Sequence, residues 1–114
     1  MSRAFEQLFM AGCKTGNLLK VKNALYNINI NGFLVACENG MLQVAQWIFT
    51  STPIDICSDN DWAFRNACEN GHKEVAEWLQ SLKPQRYGIT EAREVSEGIY
   101  NIQYELYPNN NGPI

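Results

Sequence analysis

Four cysteines and a single histidine are the residues of this 114-residue chain with the most reactive chemistry. Cys68 and His72 stand four apart, the spacing at which one helix face would bring a thiol nucleophile to an imidazole base. Gly71 lies between them, however, and glycine is the residue type that ends helices, so that geometry fails. No third group stands nearby to orient the imidazole. A metal or disulfide reading meets a different obstacle. Cys13, Cys37 and Cys68 occupy matching places in an internal repeat. Successive repeats would set them in a column with neighbours about 8–10 Å apart. That exceeds the roughly 7 Å Cα limit of a disulfide and scatters the thiols beyond one zinc ion. The chain has no C-x-x-C, no H-E-x-x-H, no glycine-rich phosphate loop and no paired-carboxylate arrangement. The three cysteines therefore read as small buried packing residues, with Cys57 as the exposed thiol. The expectation is a protein that is not an enzyme and uses no cofactor or metal.

The elements that must position these residues are announced by the repeat. "ACENG" occurs at residues 36–40 and again at 67–71, 31 positions on. The same shift lays Phe33 on Phe64, Val44-Ala45 on Val75-Ala76, Trp47 on Trp78 and Pro53 on Pro84. A degraded third copy lies upstream, where Gly12 to Gly16 takes the place of the pentapeptide and Val21, Ala24 and Leu25 follow at helix spacing. A period of this length marks units that cannot bury an apolar face alone and so stack. In the last copy Phe64, Ala67 and Cys68 fall on one helix face, with Asp61 placed to cap its start. Val75, Ala76, Trp78, Leu79 and Leu82 form the stripe of a second helix. Gly71 breaks the two apart, and Pro84 stops the second as Pro53 does in the preceding copy.

These residues resemble an ankyrin repeat. "WAFRNACENGH" keeps the family's apolar position at Phe64, its two small residues at Ala67 and Cys68, and its Gly-His pair at Gly71-His72, while "KEVAEWLQ" follows the outline of its second helix. The wording "ACENGH-x-EVA-x-WL" is similar to ankyrin proteins abundant in large DNA viruses of amoebae and other protists. The chain departs from the family where Trp62-Ala63 replaces Thr-Pro. It departs again between Gly16 and Gly40, which are only 24 apart. That leaves too little chain for a β-hairpin finger, and "NINING" (residues 27–32) is expected to be a tight turn. The resemblance implies an all-α, ankyrin-like helix-turn-helix solenoid over residues 1–84, with copies at about 3–26, 27–55 and 56–84. It also implies that His72 satisfies backbone groups at the turn between helices. Its contact positions, carried across, are Ser58, Asp59 and Asp61 in the connector, Glu69 and Asn70 at the end of the first helix, and Glu38 and Asn39 in the preceding copy. The shortened connector blurs Asn31 and Leu34 as further members. Trp62 stands at the mouth of a first helix beside the concave face such stacks use, where an aromatic suits a binding hot spot.

Residues 85–114 leave the period. In "IYNIQYELY", Tyr100, Ile102, Tyr104 and Leu106 alternate with polar neighbours, the period of a strand. The segment 85–107 is expected to cap the stack, preferably as a hairpin turning at Glu97-Gly98, with a short helix from Thr90 as the competing reading. Residues 108–114 read as a mobile tail.

Composition bounds what such a chain can do. An apolar content of 46% against 18% charged residues is enough to bury a core. No apolar run approaches the roughly 18 residues of a membrane span, and none near the N-terminus makes a secretory core. An intracellular, cytoplasmic protein is expected, in the host cytoplasm if the chain is viral. The net charge of −3 argues against nucleic acid. Arg3, Lys14, Lys20 and Lys22 make one end basic, whereas Asp55, Asp59, Asp61, Glu69, Glu74 and Glu77 make the middle acidic. The function these readings support is a monomeric protein-protein interaction module with a rigid, partly acidic face for a partner with a basic surface. The alternatives are an adaptor that recruits targets to a larger assembly such as a ubiquitin ligase, and a purely structural repeat fragment.

Overall fold

The computed structural model describes residues 3–18 and 30–107, and the chain divides into two compact units, Met1–Asp55 and Ile56–Ile114. The first unit contains helices α1 (Arg3–Thr15), α2 (Ile30–Glu38) and α3 (Leu42–Ser51). Phe9 and Cys13, one helical turn apart on α1, are buried. They lie so close to Gly32 of α2 that a Cβ there would run into the Phe9 ring and sit 3.2 Å from Cys13 Sγ. Glycine at this position is what lets the two helices approach. The end of α2 is built by the pentapeptide. Gly40 adopts φ +75°, Met41 N–H donates to Ala36 O at 2.8 Å and Gly40 N–H to Cys37 O at 3.2 Å. This pair of bonds, six-to-one and five-to-two, satisfies carbonyls that the helix end would otherwise orphan. Helix α3 then turns Val44, Ala45 and Ile48 inward, and Phe33 meets Phe49 with ring centroids 6.4 Å apart. Gly16 ends α1 in a similar way, with φ +78° and Asn17 N–H on Gly12 O at 3.0 Å.

The second unit contains α4 (Ser58–Glu69), α5 (Lys73–Leu82) and an antiparallel pair, β1 (Tyr87–Ser96) and β2 (Ile99–Leu106). The second pentapeptide repeats the helix end: Gly71 has φ +78°, His72 N–H donates to Ala67 O at 2.8 Å, and Gly71 N–H donates to Cys68 O at 3.1 Å. Val75, Ala76 and Leu79 of α5 are buried. The strands pair Tyr87 with Leu106 and Ala92 with Ile102, with irregularities between Ile89 and Glu91 and between Glu94 and Ser96. They are joined at Glu97-Gly98, where Gly98 has φ +75°. Alternation along β2 aims Ile102 inward, and Tyr87 is fully buried. Phe64 of α4 stacks on Tyr87 at 4.2 Å between centroids and takes Tyr104 edge-on at 5.5 Å.

This architecture corrects the all-α expectation. Five helices among the described residues accompany a two-stranded antiparallel sheet, a mixed α/β arrangement and not a helical ankyrin-like solenoid. The physical reason lies in the core of the second unit. The hairpin supplies Tyr87 and Ile102 to that core, so 85–107 is an integral layer of it and not a cover laid on a finished stack. A helix-turn-helix written twice fixes how two helices end, which is a local matter. The competing helix from Thr90 is likewise replaced by strand. "NINING" is not a tight turn as a whole: Ile30, Asn31 and Gly32 open α2, while residues 27–29 lie outside the described residues. The same holds for Val21, Ala24 and Leu25 of the upstream copy and for the tail, residues 108–114. Among the described residues, no helix is long and apolar enough to cross a membrane.

Candidate functional site

The sequence Ser58-Asp59-Asn60-Asp61-Trp62 opens α4 with a backbone that no ordinary helix has. Asp59 (φ 55°, ψ 47°), Asn60 (φ 58°, ψ 47°) and Asp61 (φ 60°, ψ 37°) are all left-handed. Such geometry costs an L-residue about 1–2 kcal/mol, and Asp and Asn are the side-chain-bearing residues that tolerate it best. Three in succession require an outside restraint. Arg65, in the right-handed part of α4, reaches back with Nε to Asn60 O at 2.7 Å and with Nη2 to Asp59 O at 3.4 Å.

The inner restraint is ionic. Asp61 is 2% exposed and receives Arg86 through Nε at 3.0 Å and Nη2 at 2.6 Å, a bidentate pair. Tyr87 donates its hydroxyl to Asp61 Oδ1 at 2.8 Å, and the Tyr87 hydroxyl oxygen lies 3.3 Å from Cys57 Sγ. Burial alone would raise the Asp61 carboxyl. The hydrogen bonds from Arg86 and Tyr87 and the Arg86 charge outweigh it, so the group is held below the usual carboxylate range. Burial, followed by the bonds to Cys57 and Asp61, drives the Tyr87 hydroxyl far above its usual value. The cluster is a fixed anion on a fixed cation with a proton that stays on tyrosine. Such an arrangement locks a backbone and does not trade protons near neutrality.

The candidate contact residues separate into three groups. Ser58, Asp59, Asp61 and Trp62 share the left-handed turn, with Asp59 exposed and Trp62 half-buried. The Ser58 hydroxyl is shielded from solvent and meets no hydrogen-bond partner. Asp61 faces inward, so it neither caps α4 nor offers a carboxylate to a partner. Glu69 and Asn70 are exposed at the far end of α4, where Glu69 accepts the Tyr104 hydroxyl at 2.7 Å. Burial and that carboxylate push Tyr104 up to about 12. Glu38 and Asn39 belong to the first unit and are half-buried, with Asn39 Nδ2 donating to Val35 O at 2.8 Å. Asn31 and Leu34 fall within α2, Leu34 buried. Arg65, Arg86 and Tyr87 carry the site as much as any of these. The run of Asp and Asn at 59–61 is a signal for left-handed backbone, but no local pattern links it to an arginine 25 residues away.

Of the reactive residues, Cys57 is the one that meets a member of this cluster among the contacts described. Cys13, Cys37 and Cys68 are buried, and burial pushes the Cys13 thiol up to about 12; Cys68 reaches the same value through burial and the Glu69 charge. Cys57 is half-buried beside Tyr87, not freely exposed. His72 precedes α5 without a side-chain capping bond, and its backbone N–H closes the turn on Ala67 O. Among the described residues no group of three or more His, Cys, Asp and Glu side chains is placed to hold a metal ion. A depression of about 360 Å³ lies along Leu82, Lys83, Pro84, Gln85 and Arg86, and the Arg86 charge there is already engaged by Asp61. No family model, no curated protein and no solved structure matches this chain.

Proposed function

We propose that the protein is a non-enzymatic protein-binding module that engages its partner through the turn Ser58–Trp62. The observation that carries this reading is the run of three left-handed non-glycine residues. Strain of that kind persists only where the surroundings over-determine it, and it clusters at ligand clamps and binding loops. Here the restraint leaves Asp59 and Asn60 exposed beside the half-buried Trp62, preordered by Arg65 and the Asp61–Arg86 pair. A surface ordered in advance loses little entropy on binding. A carboxylate next to an indole suits a lysine or arginine of a partner, whose charge meets Asp59 while its stem lies on the ring.

The test is affinity capture with the intact chain against Asp59→Ala and Trp62→Ala, each checked for an unchanged melting temperature. Trp62→Ala is expected to weaken a specific partner by about 2 kcal/mol, and Asp59→Ala by less, in a manner that fades with added salt. Partner recovery indifferent to both substitutions and to salt would place the binding surface elsewhere.

A further inference from the structure

The outer edge of β1 has a charge pattern that is complementary only to itself. Tyr100 N–H donates to Gly71 O at 3.1 Å, so its backbone groups face away from β1. Its cross-strand partner Glu94 must therefore point its own N–H and C=O away from β2. Alternation gives Ala92 the same outward orientation and turns Glu91 and Arg93 inward to the ladder. The Glu91 N–H being inward, the trans peptide sends the Thr90 carbonyl outward, at the irregularity between Ile89 and Glu91. Thr90, Glu91 and Arg93 to Ser96 are exposed. Arg93 and Glu91 share the face opposite the buried Ile102, and their charged groups lie 3.6 Å apart.

We propose that two copies of this chain associate through this edge, β1 against β1 in antiparallel register about a two-fold axis at Ala92. In that register Ala92 exchanges both backbone bonds with its counterpart, and each Glu94 N–H reaches the Thr90 carbonyl of the other strand. Glu91 then stands opposite Arg93 at both non-hydrogen-bonded positions, where side chains are closest. Moving the axis one residue either way sets arginine against arginine at 93 or glutamate against glutamate at 91. The charges that ordinarily guard a free edge here favour this register over its two neighbours. The contact is isologous and closed, because the two-fold sets each β1 edge against its own counterpart and, among the described residues, the outer edge of β2 is occupied at Tyr100 by Gly71. The inference is independent of the binding role given to Ser58–Trp62, and it departs from the monomer expected from sequence.

Sedimentation of the full chain over a concentration series tests it. The expected result is a reversible dimer in which Glu91→Arg or Arg93→Glu alone weakens association about tenfold or more by placing like charges opposite each other. An equimolar mixture of the two variants restores it, because every facing pair is again opposite in sign. Exchange of the Ala92 and Glu94 amides with solvent should slow as wild-type concentration rises, a readout that needs no variant to fold. A chain monomeric up to about 1 mM, a dimer indifferent to both substitutions, or a mixture no better than its components would each overturn the proposal.

Discussion

Helices α2 and α4 end at Gly40 and Gly71 with the same two hydrogen bonds and φ values of +75° and +78°. Their beginnings differ. Helix α2 starts at Ile30 without acidic residues in its first turn, whereas α4 starts through a left-handed turn tied down by a buried ion pair. Their phenylalanines differ too. Phe33 meets Phe49 at 6.4 Å within its own helix pair, while Phe64 lies between Tyr87 and Tyr104 of the hairpin. A repeated pentapeptide thus fixes one local event, the helix end. The residues outside it decide what each helix leans on and how much strain it carries.

Removing the ion pair should produce the largest contrast. Arg86→Met would leave the Asp61 carboxylate buried and alone, at a cost of about 3–5 kcal/mol in denaturant unfolding. The pH dependence follows from the sign of the shift. Asp61 is held below its ordinary value, so its contribution is present above about pH 4 and is lost as pH falls through the folded-state value. The gap between wild type and variant should therefore narrow on acidification. A gap that is constant in pH would detach the left-handed turn from this pair.

The two glycines allow a finer cut. Gly40→Ala forces a side chain into the left-handed region and should cost about 1–2 kcal/mol. At Gly71 a methyl would also lie 2.9 Å from Tyr100 N and closer still to the Tyr100 carbonyl, so Gly71→Ala should cost about 2–3 kcal/mol. A Gly71→Ala midpoint shift no larger than left-handed strain alone accounts for would mean that the hairpin yields freely at this point. The smallest difference is aromatic. Phe64→Leu gives up a stacked and an edge-on partner and should cost about 1 kcal/mol beyond the apolar area it loses, read in chemical denaturation.

These contrasts also mark what the residues alone disclose. Gly40 and Gly71 follow small and polar residues at helix ends, so both helix-turn-helix segments are legible, as is the hairpin from the alternation of Tyr100, Ile102, Tyr104 and Leu106. The buried role of Cys13, Cys37 and Cys68 is legible from their place in the repeat. The fold class was not, because periodicity reports which face of a helix is apolar and not which element will cover it; Tyr87 covering Phe64 is a tertiary choice. Asp61 departs from the cap that its position suggests for a related reason. An aspartate before a helix reads as a cap, and only the distant Arg86 and Tyr87 make it a buried counter-ion. Ser58, Asp59 and Trp62 fall together because they are neighbours in sequence, whereas the Glu69–Tyr104 bond joins residues 35 apart.

The turn at Asp59–Asp61 is a short length of chain folded in the mirror image of its surroundings. For a D-amino acid the same φ and ψ are the comfortable ones, so a chemically synthesised chain carrying D-asparagine at position 60 should lose the penalty that the L-residue bears there. The handedness of the solvent-facing bend would then come from the stereocentre itself, and Arg65 and Arg86 would no longer have to impose it.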